Sequence, residues 1–182
     1  MSTPRRSPTT SPDCSVTGVV VSRATLEPMD VTATLDVAGS PEAIRVWIDD
    51  LDRYPQWLSI VPRSEREAGD ADDADDADGP AWAVELRAEV GPLARSKKLR
   101  MVRTVDDPMH VRFERAELDG RQHSPWVLDA ALEPIEELTR LTMTLHYGGS
   151  FGGGLVERLL GDEIDSSKEK LRQLVEEGTT AP

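Results

Sequence analysis

The order of periodic segments predicts an α+β chain: one strand, two short helices, about six further strands and one long helix at the end. Three observations carry this reading. Apolar and polar residues alternate with a period of two in several separate segments of the 182-residue chain. Helical spacing appears in only two places, once after the first strand and once at the C-terminus. Strands and helices do not alternate as βαβ repeats, which excludes a doubly wound sheet.

Residues 1–28 are rich in Ser, Thr and Pro, with no period of 2 or 3.6, and read as a disordered tail. Ordered pattern begins at Met29, which makes that residue a conceivable internal start. Val31, Ala33, Leu35 and Val37 then alternate with Thr32, Thr34 and Asp36, as in a strand with one buried face. In "GSPEAIRVWIDDLD", Ser40 is placed as an N-cap, Pro41 at the first helical position and Glu42 at the positive end of the dipole. Ile44, Trp47, Ile48 and Leu51 fall on one face. Pro55 stops that helix from continuing, so "RYPQWL" is expected to form a second short turn or helix at an angle. The chain has only two Tyr, two Phe and four Trp, yet Tyr54 and Trp57 both fall here.

A short strand is expected after Trp57. "AGDADDADDADGP" follows, with six Asp in nine residues. Read as a calcium loop around Gly79, it offers Asp76, Asp78 and Glu85, but Ala74 takes the first ligand position and Glu85 lies in a strand pattern. Residues 68–80 are therefore read as an acidic mobile loop, with no metal site.

Four longer strands come next. The first buries Trp82, Val84, Leu86 and Ala88, and the second alternates through Leu99, Met101 and Arg103. Val111 and Phe113 mark the third; Trp126, Leu128, Ala130 and Leu132 mark the fourth. A last strand sets Leu141, Met143, Leu145 and Tyr147 against threonines. "GGSFGGG" then leads into the terminal helix, where Val156, Leu160, Ile164, Ser167, Leu171 and Leu174 form a stripe and Gly178 is expected to close it.

Composition limits the function. A net charge of −13 disfavours a nucleic-acid backbone as partner, so none is expected, although "ARSKKLRMVR" concentrates cations locally. The single cysteine, Cys14, calls for no oxidising compartment. No apolar run is long enough for a transmembrane segment and the start lacks a signal-peptide core, so a soluble cytoplasmic protein is expected.

Candidate chemistry is sparse. Gly148–Gly152 matches a G-x-S-x-G elbow around Ser150, but His110, His123 and His146 all lie upstream, where that mechanism needs a histidine downstream. His110 and His146 have outward parity and His123 sits beside a turn, so all three read as solvated. Arg103 has inward parity and needs an anionic partner, supplied by a ligand or replaced by water at the strand end. Tyr147 also points inward, with a hydroxyl for a ligand oxygen or for backbone.

"ATLDVAGSPE", the helix bearing Trp47, and "YPQW" at Tyr54–Trp57 together resemble the START-like superfamily of helix-grip proteins. More narrowly, the chain is similar to its SRPBCC branch of polyketide cyclase/dehydrase and lipid-transport proteins. "GPLARSKKLRM" and "WVLDAALEPIEELTRLTMTLHYGGSF" extend the likeness over about residues 30–177. The resemblance implies a helix-grip fold: a curved antiparallel sheet of about seven strands around the C-terminal helix, within a domain of residues 29–178 followed by a tail at 179–182. Two short helices close one end of an elongated cavity. Physical reasoning agrees, since one helix roughly 10 Å across leaves space beside it in a wide curved sheet. The expected lining is Trp57, Trp82, Leu86, Leu99, Met101, Arg103, Phe113, Trp126, Leu128, Met143, Tyr147, Leu160 and Ile164. The implied function is binding of a small hydrophobic, lipid- or polyketide-like ligand without a cofactor. The alternatives are an aromatase/cyclase using Arg103 and Tyr147, and a protein-interaction module using the sheet edge or "RSKK".

Overall fold

A computed structural model describes residues 29–68, 79–90, 93–148 and 153–180. The N-terminal segment with Cys14, most of the acidic loop, and Ser150 lie outside them. Seven strands form one antiparallel sheet: β1 (Met29–Val37), β2 (Arg63–Arg66), β3 (Ala81–Val90), β4 (Leu93–Asp107), β5 (His110–Arg115), β6 (Trp126–Ile135) and β7 (Leu138–Tyr147). Their order is β1-β7-β6-β5-β4-β3-β2. The chain thus runs as a meander from β2 to β7, and β1 closes onto β7. Both the strand count and the antiparallel pairing match the helix-grip expectation. The short edge strand β2, Arg-Ser-Glu-Arg, carries charge where a sheet edge needs protection from further pairing.

Helix α1 (Pro41–Ile48) starts as the sequence implies: the Ser40 side chain accepts from the Ala43 N–H, and Pro41 occupies the first turn. Pro55 then falls within a 3-10 turn, Leu51–Gln56. Tyr54 and Trp57 complete the end of α1. The Tyr54 hydroxyl donates to the Ile48 carbonyl at 3.1 Å, and Trp57 Nε1 donates to the Trp47 carbonyl at 3.3 Å. A helix leaves its last carbonyls unsatisfied, and here two aromatic side chains reach back to satisfy two of them. Burial, with Asp49 nearby, holds the Tyr54 phenol well above its usual range, so it stays a neutral donor.

The long helix α2 spans Gly153–Thr180 and runs through Gly178 rather than ending there. Gly178 has open space around it and no left-handed backbone, so nothing at that position stops the helix. Among its described side chains, Ser167, Leu171 and Val175 are buried. Val175 approaches Gly39 so closely that a Cβ there would sit 3.2 Å from its Cγ1. None of the helices among the described residues is long and apolar enough to cross a membrane.

The 3-10 turn and α2 divide the concave face of the sheet between them. The 3-10 turn covers the β3–β5 side: Tyr54 meets Phe113 edge-on at 6.4 Å, and Phe113 meets Trp82 edge-on at 5.4 Å. Trp82 also donates Nε1–H to Asp50 at 2.9 Å. Helix α2 covers the β1–β7–β6 side.

Candidate ligand cavity

Between α2 and the β1–β7–β6 side lies a cavity of about 110 Å³. Inward parity supplies Val31, Ala33 and Leu35 from β1, and Leu141, Met143 and Leu145 from β7. Leu128 of β6 extends this wall. Trp57, Leu58 and Ile60 form a second wall, and Ile164, Ser167, Lys168 and Leu171 of α2 form the third. Hydrocarbon dominates throughout; the polar side chains in the lining are Thr34, Ser167 and Lys168. Lys168 is paired with Asp165 at 3.8 Å.

The Trp57–Ile60 wall is fastened to α2 by one carboxylate. Glu163 Oε1 accepts from the Ser59 backbone N–H at 2.9 Å, from the Ser59 hydroxyl, and from Ser167 Oγ at 3.0 Å. On its other side the wall is pinned to the sheet, where the Ile60 carbonyl accepts from Arg87 N–H at 2.8 Å.

Of the expected lining residues, Trp57, Leu128, Met143 and Ile164 border this cavity. Trp82, Leu99, Met101 and Phe113 are instead packed solidly in the core beneath the 3-10 turn, with at most 3% of each exposed. Leu86 packs against the margin of that core. Leu160 lies outside the residues whose side chains are described. Strand parity places Val31, Ala33, Leu35, Leu141 and Leu145 on the inward face, but it does not separate a residue facing a void from one facing packed atoms. That depends on what covers each part of the sheet.

Arg103 is inward and half-buried, but it stands outside the cavity and its partners are protein groups. It donates to the Asp49 carbonyl at 2.9 Å, pairs with Asp106 at 2.6 Å and lies over the Trp82 ring. Asp106 also binds Arg45 of α1. A break of register between Arg103 and Val105 in the β4–β5 ladder places this cluster at a bend. Gly79 fits the same bend: its φ is +76°, and a Cβ would lie 2.6 Å from the Arg103 carbonyl oxygen. Burial raises the Asp49 carboxyl, opposed by Arg45 and then Arg103.

Tyr147 closes the other end of the inner face. It meets Trp126 edge-on at 4.8 Å, directly beyond the Leu128–Leu145 pair that borders the cavity. Lys97 Nζ stands 5.5 Å from the Tyr147 ring centre and 5.9 Å from that of Trp126. Burial holds the Lys97 ammonium below its usual range, helped by Arg115 and opposed by Glu117. Burial likewise raises the Tyr147 phenol, against the pull of Arg115. Lys97 was absent from the sequence-derived lining, although it shares the parity of Leu99 and Met101.

The histidines are engaged with carboxylates. His110 pairs with Asp129 at 3.0 Å, His123 with Asp119 at 2.8 Å and His146 with Asp30 at 2.5 Å. Glu85, from the calcium-loop pattern, lies in β3 opposite Lys98. Among the described residues no group of three or more His, Cys, Asp or Glu is arranged to hold a metal ion.

None of the curated proteins matches the chain in sequence. Solved structures share its fold. A protein of Thermus thermophilus superimposes with a TM-score of 0.63 at 19% identity, over 84% of this chain and 100% of its own. The Zhui aromatase/cyclase from Streptomyces sp. R1128 gives 0.61 at 13%, over 85% and 98%. A START superfamily protein from Mycobacterium smegmatis gives 0.57 at 20%, over 81% and 97%. The family model described as polyketide cyclase/dehydrase and lipid transport matches residues 28–176, and the chain belongs to that family.

Proposed function

We propose that this protein binds a small hydrophobic ligand in the cavity between α2 and the β1–β7–β6 side of the sheet. The observation that carries the reading is the lining: three walls from separate elements converge on a space bounded almost wholly by carbon. Removing apolar surface from water supplies roughly 25 cal/mol per Å². A cavity of about 110 Å³ suits a short or slender apolar chain better than a fused multi-ring skeleton; a dry apolar cavity of roughly 150 Å³ takes a single benzene.

Aromatase/cyclase activity is the second reading, favoured by the family's description and by the neighbouring Zhui fold. It requires a titratable group at the reacting atoms. The described lining offers only Lys168, which is engaged with Asp165; Arg103 is committed elsewhere, and Tyr147 stands beyond the lining against Trp126. Binding without turnover therefore fits the site better.

Titration with 1-octanol, followed by calorimetry and tryptophan fluorescence, tests the proposal. Saturable one-to-one binding is expected, with the fluorescence change lost in Trp57→Phe. Absence of saturable binding for 1-octanol and for native hydrophobic extracts alike would overturn it.

A further inference from the structure

The basic stretch of β4 divides by partner. Arg100 pairs with Glu67 at 2.8 Å and Arg103 with Asp106, while Lys98 is exposed on the strand face away from the core. Lys97 differs from all three. It turns to the concave face, where its contacts are the rings of Tyr147 and Trp126, and no carboxylate among the described residues lies within ion-pair distance of it. The neighbouring Arg115 is already neutralised by Glu117 at 2.7 Å and is further tied to the Ser124 carbonyl and His123. Arg115 and Glu117 thus offset one another, which leaves the Lys97 ammonium without an adjacent carboxylate of its own among the described residues.

Lys97 stands at the end of the cavity wall. The Leu128–Leu145 pair borders the cavity, and the Trp126–Tyr147 pair is the next inward pair along the same two strands. Successive inward residues are roughly 7 Å apart. A molecule with its tail among Leu128, Leu145 and Met143 would thus run over two aromatic faces and arrive at an ammonium group.

We propose that the ligand is a monoanionic amphipath, of the carboxylate class, whose charged end is held by Lys97 while its apolar body enters the cavity. The inference rests on the hydrophobic-ligand reading above and deepens it. Among the described residues Lys97 is the cation of this cluster without a carboxylate partner, and one ammonium matches the single charge of a carboxylate head group. The ring faces of Trp126 and Tyr147 supply the passage between tail and head. The downward shift of Lys97 agrees with an ammonium that lacks an anion to balance its partial burial.

Octanoate and 1-octanol share a chain and differ in head-group charge, so comparing them isolates the role of Lys97. At neutral pH the native protein should prefer octanoate by about tenfold or more, the range of one charge-assisted contact. Lys97→Met should bring that ratio close to one and leave 1-octanol binding intact, which also reports that the variant is folded. Lys97→Arg should retain most of the preference. Equal affinity for the two probes in the native protein, or a preference that survives Lys97→Met, overturns the head-group assignment while the cavity reading stands. Failure of both probes to bind removes the cavity reading and this inference with it.

Discussion

Arg103 shows how a cation inside the curve of a sheet is balanced by the protein itself. Its guanidinium takes the Asp49 carbonyl just past the end of α1 and the Asp106 carboxylate, which Arg45 shares. A cation is favoured at the negative end of a helix dipole, so the same side chain that looks like a ligand anchor acts as a clamp on α1. Arg103→Ala should lower unfolding stability by about 2 kcal/mol, the cost of losing charge-assisted contacts at a largely buried site. It should leave 1-octanol affinity unchanged. Chemical denaturation and calorimetry measure the two separately, and a selective loss of binding would return Arg103 to the site. The inward direction of Arg103 was legible from alternation with Leu99 and Met101. Its partners were not, because Asp49 lies 54 positions away in sequence and the β4 bulge that brings Asp106 near breaks the period of two. Lys97 is hidden for the opposite reason: in sequence it belongs to the basic RSKK run offered to a protein partner, although its parity with Leu99 places its long stem on the inner face.

Among the elements, the stretch after α1 serves two purposes. Tyr54 and Trp57 close the helix end, and the residues that follow form a cavity wall fastened to α2 through Glu163. That carboxylate holds Ser59 to the long helix by side chain and backbone together. Glu163→Ala should therefore speed amide exchange at Ser59 by about tenfold or more, since its N–H loses the protein acceptor and opens with the local segment. Exchange at the Tyr54–Trp57 turn, held by its own hydrogen bonds, should change little. Exchange at Ser59 as slow as in the native protein would show that the wall is held without Glu163. Sequence predicted the start of α1 well, because capping chemistry is local: Ser40, Pro41 and Glu42 act within one turn. The end of α2 departs from the local expectation at Gly178. A glycine permits a left-handed stop without imposing one, and Gly178 remains helical.

For the molecule as a whole, the decisive feature is how two coverings share one concave face. The apolar parity of the longer strands and the order of elements predicted the sheet and its helix, because period and connection length constrain both. Neither shows where packing stops. Trp82, Leu99, Met101 and Phe113 carry the same alternating signal as Met143 and Leu145, yet the first group lies under the 3-10 turn and the second faces a void. Ala33 tests this division directly. It lines the cavity from β1 opposite Met143, and its small side chain leaves part of the space unfilled. Inserting extra carbons into a solidly packed site costs about 1–3 kcal/mol, whereas carbons placed in a void meet no such penalty and gain contacts. Ala33→Leu should therefore keep or raise the thermal midpoint, while 1-octanol affinity falls about tenfold or more because the side chain occupies the guest's place. The two readouts move in opposite directions only if the ligand sits in this space. A destabilised variant that still binds 1-octanol normally would place the guest elsewhere and show that α2 packs against this half of the sheet without a gap.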